Sequence, residues 1–81
     1  MSSDKLANFD ALMRVLTQVS SLLGGTKSWL LYNAQVSLQE LERTIRILIG
    51  IEFAEWKEDK LIATPKGRGF LEAYRQIMEQ L

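Results

Sequence analysis

Leu6, Phe9, Leu12, Met13, Leu16, Val19, Leu22 and Leu23 recur at spacings of three and four, which places them on one face of a helix. The pattern predicts a first helix over about 5–23. Gly24-Gly25 closes it, because glycine enters the left-handed region at little steric cost. Thr26 can then cap a second, short helix over 27–33, with Trp29, Leu30 and Leu31 as its apolar content. After a break at Ala34-Gln35-Val36, Ser37 is followed three residues later by Glu40, the pairing in which hydroxyl and carboxylate cap a helix start reciprocally. A third helix over 38–49 follows, with Leu38, Leu41, Ile45 and Leu48 on one stripe. That stripe directs Gln39, Glu40, Glu42, Arg43 and Arg46 largely away from the core.

From Phe53 the alternation shortens to a strand over 53–57, with Phe53 and Glu55 facing oppositely to Ala54 and Trp56. Glu58-Asp59 reads as a turn and 60–63 as the returning strand, so a hairpin occupies 53–63. Thr64-Pro65 reads as N-cap and first residue of a last helix over 65–81, since proline's fixed φ suits a first turn. Phe70, Tyr74, Ile77 and Leu81 form one seam of that helix, with Leu71 and Met78 beside it. This face is wider than one small core requires, and a second copy of the chain is expected to cover it. The order of elements predicts a mainly α fold with a small β-hairpin: a single winged helix-turn-helix domain over 1–81 with a C-terminal dimerisation helix.

Composition narrows the function more than the fold. A chain of 81 residues holds one domain, and on folding it hides roughly 60 to 65% of its unfolded surface, which leaves a thin margin of stability that dimerisation would widen. With no cysteine and no histidine, thiolate chemistry, disulfides, most transition-metal sites and the usual general base near neutral pH are removed. No glycine-rich phosphate loop or evident carboxylate pair takes their place, so the expectation is a protein with no enzymatic activity, no cofactor and no metal. No apolar run approaches the roughly 20 residues that cross a bilayer, and Met1-Ser2-Ser3-Asp4 lacks the character of a signal peptide, which points to the cytoplasm.

Two blocks resemble a known family. Thr26-Lys27-Ser28-Trp29-Leu30-Leu31-Tyr32-Asn33-Ala34-Gln35-Val36-Ser37 is similar to the second helix and turn of the small archaeal winged-helix proteins, where Thr-Lys-Thr precedes apolar residues, Tyr, x, Ala, x, Leu, Ser. Thr64-Pro65-Lys66-Gly67-Arg68-Gly69-Phe70-Leu71-Glu72-Ala73-Tyr74 resembles that family's signature of Thr-x-Lys-Gly, two residues, Phe-Leu and a later Tyr. The resemblance covers roughly 12–81 and implies an intracellular DNA-binding protein or transcriptional regulator. It further implies a homodimer joined through the C-terminal helix, with the third helix in the major groove. Glu52 stands where the family usually has glycine, and Glu40 and Glu42 stand where members often carry lysine.

In a helix-turn-helix, side chains near the start of the second motif helix reach base edges, where Gln pairs with adenine and Arg with guanine. Gln39 and Arg43 are the candidates here. Lys27, Arg46, Lys57 and Lys60 are candidate phosphate contacts, and Ser28 and Ser37 candidate hydroxyl or backbone contacts. Glu58 and Asp59 at the hairpin tip would repel phosphate, and the acids Glu52, Glu55, Glu58 and Asp59 do not match a calcium loop. Lys66 and Arg68 lie where the helix macrodipole disfavours cations, so a phosphate partner or solubility explains them better than local stability. Trp29, Tyr32 and Trp56 read as packing residues. Ten basic residues against ten acidic ones give zero net charge, which keeps a second reading beside double-stranded DNA binding: a protein-interaction module with little DNA affinity.

Overall fold

The computed structural model describes residues 2–21 and 24–81, with side chains in the first helix described from Asn8 to Ser20. The order is α1 (Ser2–Ser21), α2 (Lys27–Asn33), α3 (Leu38–Gly50), β1 (Ala54–Lys57), β2 (Lys60–Ala63) and α4 (Pro65–Gln80). Helix α1 begins earlier than its apolar periodicity suggests, because Ser2, Ser3 and Asp4 favour a helix's first turn without contributing to that periodicity. Leu22 and Leu23, and the side chain of Leu6, lie outside the described residues.

Helix α1 is the centre of the domain and touches α2, α3, α4 and β2. Its Val15, Leu16 and Val19 join Leu30 of α2, Leu41 and Leu48 of α3 and Leu61 of β2 as fully buried side chains. Each such leucine contributes about 1.5–3 kcal/mol relative to exposure, so this cluster supplies most of the drive to fold. On α3 the buried stripe is Leu41, Thr44, Ile45 and Leu48. Leu38, expected on that stripe, is 50% exposed; it occupies the first helical position, beyond the stripe's end.

The caps are local chemistry written in the sequence. Thr26 Oγ1 accepts from Trp29 N, and Thr64 Oγ1 accepts from Gly67 N ahead of Pro65 in the first turn of α4. Ser37 and Glu40 form the full capping box, Ser37 Oγ accepting from Glu40 N at 3.1 Å and Glu40 Oε1 accepting from Ser37 N at 3.1 Å. The Ser37 backbone N–H, and after it the Ser37 hydroxyl, hold the Glu40 carboxyl below the usual carboxylate range.

The end of α3 is tighter than the sequence suggests. Glu52 N donates to Ile49 O and Phe53 N to Leu48 O, which is the Schellman closure, and Glu52 stands at its left-handed position with φ +65°. Phe53 therefore belongs to the helix cap, and the ladder begins one residue later, at Ala54. The pairs Ala54↔Ala63 and Trp56↔Leu61 face one side of the hairpin, Glu55↔Ile62 and Lys57↔Lys60 the other. Gly25 also pairs with Leu61 on the free edge of β2, Gly25 N donating to Leu61 O at 3.1 Å and Leu61 N to Gly25 O at 2.8 Å. The glycine pair is thus a strand partner as well as a turn. Gly24 has φ +89°, and a Cβ there would lie 2.3 Å from Leu61 O.

Gly67 places α4. A Cβ at this position would lie 2.1 Å from the Phe53 carbonyl oxygen, so only glycine lets the first turn of α4 rest on the end of α3. Phe70 stacks on Phe53 with ring centroids 4.9 Å apart, and Leu71 is buried in the core. Lys66 and Arg68 receive structural partners, contrary to the expectation from the macrodipole. Lys66 lies over the Phe53 ring and 3.8 Å from Glu52. Arg68 Nη1 donates to Ser20 O at 3.0 Å, at the end of α1, whose last turn has no basic residue of its own.

This junction generates two predictions of opposite sign. Gly67→Ala drives a methyl group into a backbone carbonyl and should destabilise the domain by about 1–3 kcal/mol. Glu52→Gly relieves a left-handed residue whose side chain makes an exposed, long ion pair and whose backbone bonds glycine keeps, and should stabilise by about 0.5–1 kcal/mol after the added unfolded-state entropy. Thermal unfolding reads both, at about 4–8 °C per kcal/mol for a domain of this size. A neutral Gly67→Ala or a destabilising Glu52→Gly would contradict this geometry.

Candidate nucleic-acid interface

Burial of Leu41, Thr44, Ile45 and Leu48 turns the opposite face of α3 to solvent. By helical spacing, that face is centred on Gln39, Arg43, Arg46 and Gly50, all of them exposed. The two acids of the helix lie on its flanks, and both are engaged. Glu40 belongs to the capping box, and Glu42 Oε2 accepts from Lys27 Nζ of α2 at 2.6 Å. That bond and the charge of Lys27, followed by the charge of Arg46, hold the Glu42 carboxyl below its usual range. Both arginines are exposed.

Arg43 Nη1 donates to Asn8 Oδ1 of α1 at 2.9 Å, a contact at the surface that orients the guanidinium without burying it. Arg46 is exposed beside a shallow cleft of about 270 Å³ lined by Lys27, Glu42, Ile45, Arg46 and Trp56. Trp56, read from the sequence as a packing residue, is 42% exposed. It lies directly opposite Leu61 on the same hairpin face and walls this cleft.

On the hairpin, Lys57 and Lys60 lie directly opposite one another and exposed, a like-charge pair that an anionic partner would relieve. Lys60 also lines a hollow with Gly24, Gly25, Thr26 and Trp29, which brings it near the start of α2. Glu58, at φ +60°, and Asp59 form the turn between the lysines. Ser28 is exposed on α2, whereas the Ser37 hydroxyl already accepts the capping bond and retains only its remaining donor capacity.

The structure thus brings Lys27, Arg46 and Trp56 around one cleft, sets Gln39 and Arg43 along the adjoining helix face, and places Lys57 and Lys60 on the hairpin. Tyr32 is a further candidate that sequence reasoning set aside as packing. It is 84% exposed, because Leu30 and Ala34 take the buried side of α2 and leave Tyr32 on the side of Ser28. Seven residues are too few for periodicity to have separated these alternatives.

The seam of α4 divides. Leu71 is part of the protomer's own core and is withdrawn from any dimer contact. Phe70 packs on Phe53, and Tyr74 packs on Phe9 with ring centroids 5.7 Å apart. Ile77, at 60% exposure, with Met78 and Leu81, stays open to solvent.

A larger hollow, about 460 Å³, is shallow and shares no residue with this cleft; Ile49, Glu52, Ala54, Glu55, Thr64, Pro65 and Lys66 line it. Among the described residues no cluster of acids could hold a metal ion, and no helix is long and apolar enough to cross a membrane. No curated protein matches the chain closely enough to be compared with it. The sequence profile of the winged helix-turn-helix family, however, matches residues 7–81, and the chain belongs to that family of DNA-binding domains.

Proposed function

We propose that this protein is a homodimeric, sequence-specific double-stranded DNA-binding regulator of transcription that lays α3 in the major groove and acts in the cytoplasm without catalysis. The observation that carries the reading is the outward strip of Gln39, Arg43 and Arg46, with both neighbouring acids held at its margins. Gln39 and Arg43 stand where a recognition helix offers side chains to base edges, Gln to adenine and Arg to guanine. Arg46, Lys27, Lys57 and Lys60 serve the phosphate backbone, with Ser28, Ser37 and Tyr32 as hydroxyl contacts at its edge.

The dimer forms through the exposed end of α4, where Ile77, Met78 and Leu81 continue the line of Phe70 and Tyr74. Joining two protomers there gives a small domain additional buried apolar area and presents two recognition helices. Two-fold symmetry then asks for half-sites about one helical turn, roughly 34 Å, apart.

Selection from a random duplex pool should enrich a two-fold symmetric sequence. On the enriched duplex Arg43→Ala should cost about 1–3 kcal/mol and relax the preference at one position per half-site. Lys60→Ala should instead weaken all duplexes alike and flatten the salt dependence by about 0.9 for each phosphate no longer neutralised. Failure of the purified protein to bind any duplex at low salt, together with a stable protein partner in native extract, would favour the protein-interaction reading.

Light scattering should give a dimer at micromolar concentration and a monomer after Ile77→Asp. A wild-type monomer, or an unchanged mass in the variant, would contradict the α4 interface.

A further inference from the structure

Glu42 is placed where a phosphate would be expected. Its carboxylate accepts the Lys27 ammonium from α2 at 2.6 Å, and Arg46 follows it by one turn on α3. Trp56 of the hairpin closes the same cleft. An anionic oxygen thus bonds one cation, Lys27 of α2, and shares its cleft with a second, Arg46 of α3, on the flank of the strip assigned to DNA. Resting on that assignment, we infer that Glu42 is an internal competitor for the DNA backbone: by holding Lys27 and drawing on Arg46, it depresses sequence-independent affinity.

Contacts to DNA differ in the information they carry. Phosphate contacts strengthen binding to every sequence, so a protein that engages fewer of them relies more on base edges to choose its site. The Lys27 and Glu42 side chains are each close to half exposed, at 46% and 43%, so their pair is weak and a well-placed phosphate can displace the carboxylate. The balance of acids and bases, which at first argues against DNA, becomes on this account a property of the interface. At least one acid is set against the cations that would otherwise bind any duplex.

The test uses the full chain and a short mixed-sequence duplex, followed by fluorescence anisotropy across a salt series. Glu42→Gln should raise affinity about fivefold near 0.1 M salt and steepen the salt dependence by about 0.9 per protomer, the signature of one newly engaged phosphate. Adding Lys27→Met should remove that gain. Unchanged affinity and slope in Glu42→Gln, with wild-type protein binding normally, would overturn the inference and leave the DNA-binding reading intact. An equal gain in the Lys27→Met background would also overturn it, because the acid would then act only as diffuse charge. If neither wild type nor Glu42→Gln binds the duplex at low salt, both readings fall. Circular dichroism of each variant separates these outcomes from loss of fold.

Discussion

The rotation of α3 about its own axis is the constraint on which the rest depends. Leu41, Ile45 and Leu48 can be buried only if they face the core around α1, and their burial leaves no choice about the direction of Gln39, Arg43 and Arg46. Reversing that direction would expose three large apolar side chains, at about 1.5–3 kcal/mol each, and bury two guanidinium groups. Hydrophobic burial thus presents the polar face, although no polar contact is needed to fold the helix. The capping box at Ser37 and the Schellman closure at Glu52 then fix where the helix starts and stops, so the strip has a set length as well as a set direction.

The end of α3 also fixes its neighbours. The Phe53 carbonyl accepts from Thr64 N, abuts Gly67 and sits beneath the junction of hairpin and α4. Phe53 itself stacks on Phe70, and Gly25 ties the free edge of β2 to the segment before α2. Through these contacts the hairpin and α2 are held in a defined relation to the helix, which is what places Lys27, Trp56 and Arg46 around one cleft. Function in this reading requires no moving part, only the rigid placement of side chains from three elements.

Much of this was legible in the sequence because the signals are local. Thr26, Ser37 with Glu40, and Thr64-Pro65 announce helix starts through bonds made within three residues, and each of those bonds is present. The long apolar periodicity of α1 and α3 was equally direct. What escaped were features set by long-range contacts: the Gly25–Leu61 pairing, the Phe53 cap, Arg68 reaching the end of α1, and the division of the α4 seam by Leu71. Within the candidate site, the exposed positions on α3 could be read from the period. The exposure of Tyr32 and Trp56 and the link from Lys27 to Glu42 could not, because each depends on how a short element lies against another.

If α3 is the helix that enters the groove, its outward face is the surface that meets DNA. The most direct test is a backbone-amide NMR titration of the protein with a short mixed-sequence duplex at low salt. The largest shifts should fall on Gln39, Arg43, Arg46 and Gly50, with smaller ones at Lys27 and across the hairpin. Shifts concentrated on Glu72, Arg75 and Glu79 of α4, with α3 undisturbed, would contradict it.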